Sequence, residues 1–402
     1  MEAKVQAPYR ADAGESMLLA VLVALSFTHF LNDTVQSLLP AIYPIIKASF
    51  RLNFGQIGLI TLAFQLTGAF LQPFVGFYTD RNPRPYSLPI GMAFTLGGLL
   101  LLAFAQQYAV VLCGAALIGI GSSVFHPEAS RVARLASGGQ HGFAQSLFQL
   151  GGNFGAATGP LIAAFIVAPH GQKSIALLAL VPLIGMGVLS SVSNWYARQL
   201  ASKHRRQPTA LHFEGLGKKQ IAGALLILLA LVFSKFVYLA SISSYYTFYL
   251  IQKFGVSVPH AQLFLFLFLG ATALGTLLGG PVGDRIGRRH VLFGSILGVL
   301  PFTLALPYAN SLFLTALLTV IIGFVLSSAF AVIIVYAQEL LPGRVGTVAG
   351  LFFGFAFGMA GLGAAVLGVL ADHTSITFVY HVTAYLPAIG LLTYFLPKRV
   401  AG

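Results

Sequence analysis

Ionisable side chains are scarce in this chain, and those that interrupt its apolar segments are the residues whose chemistry needs explaining. Of its 402 residues, 57% are hydrophobic and only 8% are Asp, Glu, Lys or Arg. Asp33 lies inside an apolar segment, and His29 and Gln36 share its helical face. A carboxylate beside an imidazole in such a segment is a candidate for proton exchange, which we predict for Asp33 and His29. Gln36, and Asn32 next to Asp33, are predicted substrate contacts. The alternative is that these residues form a purely structural hydrogen-bond cluster.

A second apolar segment contains a single ammonium group, Lys235. An ammonium in such a segment needs an acceptor or a cavity, and an anionic substrate would supply the acceptor. A permanent ion pair with Asp33 or another carboxylate is the alternative. If the partner is Asp33, its protonation would release Lys235 to hold an anion. Hydroxyl groups follow on the Lys235 side of the helix, and they either bind substrate or join helices. The substrate candidates are Tyr238, Ser241 and Tyr245.

A third group of polar residues lies toward one end of an apolar segment. Pro127 removes a backbone donor there and predicts a bent or broken helix. Glu128 and Arg131 are three residues apart and can pair on one helical face. We predict that Glu128 couples protons and that His126 and Arg131 bind the anionic substrate, with a gate or a snorkelling pair as the alternative.

Long apolar runs separated by short polar breaks indicate a membrane protein that crosses the bilayer many times. A helical span needs about 20 mostly apolar residues, and its backbone must satisfy its own hydrogen bonds in lipid. The fold class is therefore all-α, with twelve transmembrane helices arranged as two six-helix repeats. The predicted spans are 17–46, 55–79, 87–106, 108–134, 141–168, 174–197, 220–251, 258–282, 290–308, 311–340, 346–371 and 376–396.

The longest polar stretch, 198–219, divides the spans into two sets of six. We expect an N-terminal bundle and a C-terminal bundle joined by a cytoplasmic linker, with a short tail at each end and an uncleaved first helix. The predicted units are the tail 1–16, the bundle 17–197, the linker 198–219, the bundle 220–396 and the tail 397–402.

The net charge of +13 is explained by topology. Eighteen Lys and Arg residues fall on one side of the predicted spans and four on the other, with Lys235 inside a span. Positive residues favour the cytoplasmic side, so both termini are predicted to be cytoplasmic, and nucleic-acid binding is set aside. The only cysteine, Cys113, excludes an intramolecular disulfide.

Matching residues recur 204 positions apart. Gly76 and Asp80 correspond to Gly280 and Asp284, and Gly142 corresponds to Gly346. The two halves are therefore predicted to be parallel copies, an architecture of secondary transporters. Charged residues at the ends of the spans are predicted to form a gate between the halves. The gating candidates are Asp80, Arg81, Asp284, Arg285, Arg288, Arg289, Glu339 and Arg344.

The run 280–289, Gly-x-x-x-Asp-Arg-x-Gly-Arg-Arg, resembles the cytoplasmic loop signature of the major facilitator superfamily, and 76–84 is a degenerate copy. Gly155, Gly159 and Pro160 form a Gly-x-x-x-Gly-Pro run similar to the motif of antiporters in that superfamily. Ala163 and Ala164 stand where a glycine pair is common. We expect these glycines to serve close helix packing.

Three further segments, 122–134, 234–249 and 336–344, are similar to a family of bacterial fosmidomycin exporters within that superfamily. The resemblance implies proton-driven export of a small anionic drug, with protons, the substrate and the lipid bilayer as partners. We expect a monomer in the bacterial inner membrane, with no cofactor, no metal and no enzymatic activity. The alternatives are a proton symporter that imports a sugar or an organic anion, a membrane enzyme, and a non-transporting receptor.

Overall fold

The structure is a computed structural model that describes residues 17–52, 54–202 and 216–397, and in these residues it contains helices and turns but no strand. The predicted tails 1–16 and 397–402 and the linker 198–219 fall wholly or largely outside the described residues.

Within the described residues, twelve long helices follow one another along the chain. Eleven are long and apolar enough to cross a membrane. The first has 23 residues, and the polar residues around Asp33 interrupt its apolar sequence. The prediction of an all-α membrane protein is confirmed. The helices are α1 (Leu19–Ala41), α2 (Leu59–Arg81), α3 (Ser87–Phe104), α4 (Tyr108–Ala136), α5 (His141–His170), α6 (Gln172–Ser202), α7 (Lys218–Phe254), α8 (Val258–Ile286), α9 (Arg288–Tyr308), α10 (Leu312–Leu340), α11 (Val345–His373) and α12 (Ile376–Phe395).

One local prediction was wrong in part. Pro127 does not break its helix, because α4 runs without interruption from Tyr108 to Ala136. The residues from Phe125 to Ser130 are all buried, so the packing of neighbouring helices holds this stretch in helical form although the proline lacks one donor.

Two glycine contacts bring the halves of the chain together. A Cβ atom on Gly76 in α2 would lie 2.1 Å from the carbonyl oxygen of Gly346 in α11. A Cβ atom on Gly280 in α8 would lie 1.9 Å from the carbonyl oxygen of Gly142 in α5. Both contacts therefore require glycine, and the 204-residue offset relates one contact to the other. We call the end of the molecule where these contacts lie, beside the loop containing Arg84, the basic end.

Glycines also allow α5 to lie directly against α1. A Cβ atom on Gly155 would be 2.4 Å from the carbonyl oxygen of Phe30, and one on Gly159 would be 2.1 Å from Ser37 Oγ. Pro160 follows within the same helix, just before a π-helical turn at Ala163–Val167. The close approach of α5 forms one wall of the site described next.

Candidate functional site

The Asp33 carboxylate lies between two histidines from different helices. His29 Nε2, one turn earlier on α1, is 3.2 Å from Asp33 Oδ2, and His126 Nε2 on α4 is 3.5 Å from Oδ1. Asn32 Nδ2 and Gln36 Nε2 donate to Oδ1 at 3.0 and 2.9 Å. The structure thus brings together five residues that the sequence singled out in two separate segments. We call His29, Asp33 and His126 the acidic triad.

Backbone groups orient both imidazole rings. His29 Nδ1 is 2.8 Å from the carbonyl oxygen of Phe148, and His126 Nδ1 is 3.1 Å from that of Ser122. Ser122 Oγ donates to Gln36 Oε1 at 2.9 Å and so fixes the glutamine amide. The sequence indicated neither Phe148 nor Ser122, because both contacts depend on which helices are neighbours.

The wall opposite the acidic triad is the glycine face of α5. A Cβ atom on Gly152 would lie 2.6 Å from His29 Nε2 and 2.9 Å from Asp33 Oδ2, so no larger residue fits without a shift. On the open side, Asp33 borders a cavity of about 240 Å³, and 13% of its side chain is exposed. The cavity is lined by Asp33, Gln36, Ser37, Phe64, Gln65, Gly68, Ala69, Ser122, Ala156, Phe357, Ala360 and Gly361.

The acidic triad is also a set of donors that could hold a metal ion. One ligand atom from each of its three residues lies within 4.8 Å of the other two. Two imidazoles and a carboxylate suit both a proton and a zinc-like ion chemically, so the two occupants have to be separated by experiment.

Lys235 is buried in the other half of the molecule, on α7. Its Nζ donates to the carbonyl oxygen of Ser327 at 3.3 Å and lies 5.3 and 5.2 Å from the ring centroids of Phe236 and Phe330. Among the ion pairs of the described residues, none joins Lys235 to a carboxylate; Asp33 is paired with the two histidines instead. The structure does not show the alternative of a permanent Lys235–Asp33 pair.

Aromatic rings stand between the two centres. Phe330 of α10, beside Lys235, lies 5.4 Å from Phe353 of α11, and Phe353 lies 4.9 Å from the His126 ring, as centroid distances. Phe357 also packs on His126, at 5.2 Å. We call Phe330, Phe353 and Phe357 the aromatic partition. Sequence reasoning missed it because nothing distinguishes these three among 34 phenylalanines.

A polar path runs from α5 to Lys235. Asn153 Nδ2 donates to Thr276 Oγ1 at 3.1 Å, and Thr276 Oγ1 is 3.4 Å from the same Ser327 carbonyl oxygen that Lys235 contacts. The buried Ser327 Oγ has no hydrogen-bond partner in the described part of the chain. Asn153 follows Gly152, so α5 touches the acidic triad and the Lys235 centre with consecutive residues. An amide inside an apolar span was a signal that could have identified Asn153.

The three α7 residues predicted to bind substrate through their hydroxyl groups are Tyr238, Ser241 and Tyr245. Ser241 Oγ donates to the backbone oxygen of Tyr238 at 2.7 Å, and the Tyr245 hydroxyl donates to that of Ala364 on α11 at 2.6 Å. The Tyr238 hydroxyl is buried and has no hydrogen-bond partner among the described residues. Two of the three hydroxyl groups thus donate to backbone carbonyls, as the helix-joining alternative expects.

Glu128 and Arg131 form a separate buried pair nearer the basic end. Arg131 donates to Glu128 Oε2 and to the carbonyl oxygen of Thr79, and Ser87 Oγ donates to Oε2 at 3.1 Å. Glu128 Oε1 is buried without a hydrogen-bond partner in the described residues. The described contacts do not join this pair to Asp33.

Two aspartates join the halves at the basic end by capping helices of the opposite half. Asp80 at the end of α2 accepts hydrogen bonds from Gly346 N at 2.8 Å and from Thr347 N and Oγ1 at 2.7 Å each, at the start of α11. Asp284 at the end of α8 accepts from Gly142 N and Phe143 N, at 3.1 and 3.0 Å, at the start of α5.

The basic residues of the predicted gate behave differently from one another. Arg288 is buried and bridges Asp284 at 2.9 Å and Glu339 at 2.6 Å, whereas Arg289 binds backbone oxygens of α12. The remaining three gate arginines make no bond between the halves among the described contacts. Arg81 lies over the Phe77 ring of its own helix, and Arg285 and Arg344 are exposed.

Sequence reasoning missed a second contact between the halves at the basic end. Gln338 of α10 donates to Ser130 Oγ of α4 at 3.2 Å and accepts from Arg134 at 3.2 Å. Ser130 Oγ in turn donates to Gln145 of α5 at 2.9 Å. Arg134 and Gln338 are 204 positions apart, so this contact joins equivalent positions of the two repeats.

The comparisons with known proteins agree with this architecture. The sequence model of the Major Facilitator Superfamily matches residues 25–257 and 227–402. The chain therefore belongs to this superfamily, and it is a membrane transporter of small molecules.

Two relatives are similar over nearly their whole length. The Escherichia coli (strain K12) fosmidomycin resistance protein is 60% identical, covering 94% of this chain and 93% of the relative. The MFS-type transporter YfnC of Bacillus subtilis (strain 168) is 41% identical over the same shares. The predicted family resemblance is confirmed.

Solved structures support the fold. The transporter FucP in its outward conformation superposes with a TM-score of 0.72 at 18% identity, covering 94% of this chain and 98% of FucP. The proton:xylose symporter XylE gives a TM-score of 0.67 at 14% identity, with 94% and 95% covered. At these identities the likeness concerns the fold alone.

Proposed function

We propose that this protein is a proton-coupled antiporter that exports a small anionic compound, such as the phosphonate fosmidomycin, by alternating access and so confers resistance. The choice of fosmidomycin as the drug is supported by the relative that is 60% identical, the fosmidomycin resistance protein. The observation that carries the anionic class is Lys235, which is 4% exposed, contacts a backbone carbonyl and pairs with no carboxylate among the described ion pairs. A bound phosphonate would supply the missing negative charge.

The substrate and the proton are assigned to different centres of the bundle. Lys235, with Asn153, Thr276 and Ser327, binds the anion, and Asp33 exchanges the proton through the adjoining cavity. Protonation of Asp33 therefore does not release Lys235 directly, since the described contacts of Asp33 do not include Lys235. We assign the coupling to α5, because Gly152 packs on the acidic triad and Asn153 reaches toward Lys235.

The predicted orientation places the basic end in the cytoplasm of a bacterial inner membrane, with both termini on that side. The two aspartate caps then close the cytoplasmic side, and their release opens it. Glu128 and Arg131 belong to this closed side, as do Glu339 and Arg288. The two-bundle division and a monomeric state complete the proposal, which requires no cofactor.

Drug susceptibility tests this proposal. Cells that lack their own exporter should survive more fosmidomycin when they produce this protein, and Lys235→Ala should abolish the gain while it leaves the amount of membrane protein unchanged. Lys173→Ala is the matched control, because Lys173 is exposed in a terminal turn of α6. Equal resistance with Lys235→Ala, or no resistance with the intact protein, would contradict the proposal.

A further inference from the structure

The hydrogen positions around His29 follow from its partners. A backbone carbonyl can only accept, so His29 Nδ1, 2.8 Å from the Phe148 oxygen, carries a hydrogen. A neutral imidazole has one N–H group, so Nε2 is then a bare acceptor. It faces Asp33 Oδ2, itself an acceptor, at 3.2 Å.

His126 is fixed in the same way by a chain of contacts. The Gln36 amide donates to Asp33 Oδ1, so its Oε1 accepts the hydrogen of Ser122 Oγ. Ser122 then offers His126 Nδ1 only acceptors, the carbonyl oxygen at 3.1 Å and Oγ at 3.3 Å. His126 Nδ1 therefore carries the hydrogen, and its Nε2 is bare toward Asp33 Oδ1 at 3.5 Å.

Three acceptors thus converge in a buried place without a donor between them. The Nε2 atoms of His29 and His126 are buried and make no hydrogen bond in the described residues. Lone pairs that face one another away from water are costly, and one added proton turns the closest contact into a charge-assisted hydrogen bond.

We infer that His29, Asp33 and His126 bind the transported proton as one site, with the proton held between Asp33 Oδ2 and His29 Nε2. Oδ1 is not its position, because it already accepts from Asn32 and Gln36. With the proton bound, the acidic triad is neutral; release from Oδ2 leaves a charge of −1. This inference rests on the proposed antiport and deepens it.

His126 consequently changes its role from a substrate contact to a second bare acceptor, which faces Asp33 Oδ1 beside the protonated contact. Asp33 is the entry point, since its side chain is 13% exposed whereas those of His29 and His126 are 2% and 0% exposed. The other elements packed on the acidic triad present no titratable group among the described contacts: α5 offers glycine backbone, and α11 offers Phe353 and Phe357.

Nitrogen NMR of the intact protein, labelled with ¹⁵N-histidine, tests this hydrogen pattern without any substrate. His29→Gln and His126→Gln assign the two rings by the loss of their signals, and His170→Gln, at an exposed residue, supplies a reference. We expect both rings to carry hydrogen on Nδ1, and the His29 Nε2 signal to shift when Asp33→Asn replaces the shared proton by an amide donor. A neutral ring with hydrogen on Nε2 and a bare Nδ1, at either position, would overturn the inference.

Two further measurements separate a shared proton from a bound metal ion and from a purely structural role of His126. If the NMR pattern disappears on chelation and returns with Zn²⁺, a metal ion occupies the acidic triad and the proton assignment falls. In proteoliposomes, His126→Gln should lose the dependence of fosmidomycin transport on the pH gradient, whereas His170→Gln should keep that dependence. If His126→Gln keeps that dependence, His126 is not part of the proton site. If the intact protein moves no fosmidomycin, the proposed function fails, while the NMR result still decides the proton site.

Discussion

Removal of the Asp80 carboxylate should open the basic end of the transporter. In the closed arrangement the carboxylate accepts three hydrogen bonds, two from backbone amides and one from a hydroxyl, at the first turn of α11. It bridges the halves, because it lies on α2 and its partners lie on α11. Asp80→Ala deletes all three contacts, whereas Asp80→Asn keeps an acceptor oxygen and loses the charge.

The size of the effect follows from the capping geometry. Loss of a helix cap costs about 0.5–2 kcal/mol, and a negative charge at a helix N-terminus contributes about 0.3–1 kcal/mol more. In the open arrangement water replaces these bonds, so only the difference of about 1–3 kcal/mol shifts the equilibrium. That corresponds to about a 5- to 150-fold change in the ratio of open to closed molecules.

Distance measurements between spin labels detect this shift. Labels at Arg84→Cys and Pro342→Cys, both exposed in loops of different halves, report the width of the basic end in a Cys113→Ser background. Asp80→Ala should add a population with a longer distance. The control is Asp372→Ala, which removes an exposed carboxylate from the other end of α11.

The capping explanation is wrong if Asp80→Ala leaves the distance distribution as it is in the unsubstituted protein while transport is lost. It is equally wrong if the control opens the basic end to the same extent, because the effect would then reflect net charge rather than the cap.

Two other predictions follow from the same end of the molecule. Gly280→Ala should drive α8 away from α5 and lower the thermal stability of the purified protein, because the new Cβ would meet a backbone oxygen at 1.9 Å. Gly187→Ala is the control and should leave the melting temperature nearly unchanged, because open space surrounds Gly187. Equal effects of the two substitutions would argue against the close contact. Arg288→Ala should lower the free energy of unfolding in reversible detergent denaturation by about 3–5 kcal/mol, because it removes the buried guanidinium that neutralises Glu339. Arg285→Ala, at an exposed residue, should change this free energy by less than about 0.5 kcal/mol. A small loss for Arg288→Ala would contradict the bridging role.

Much of the fold was predictable because lipid imposes a simple pattern on sequence. The predicted spans 87–106 and 346–371 correspond to Ser87–Phe104 and Val345–His373, since helix ends coincide with the polar breaks. The first helix was also predictable, although the polar residues around Asp33 interrupt its apolar sequence.

The site was predictable only where its residues share a helix. The spacing of His29, Asp33 and Gln36 placed them on one face, and the structure has them in contact. The neighbours of a helix are set by the packing of the whole bundle, so sequence could not bring His126 to Asp33. For the same reason, sequence alone left open an ion pair between Asp33 and Lys235 that the described contacts do not show.

The most direct test of the central claim is fosmidomycin transport by purified protein in liposomes under an imposed pH gradient. An antiporter should move the drug into the more acidic compartment, against its own concentration gradient, with protons leaving that compartment. Asp33→Asn and Lys235→Ala should each abolish this movement, and Lys173→Ala should not. Drug movement away from the acidic compartment together with protons would indicate a symporter and contradict the account, as would gradient-driven transport that survives both substitutions.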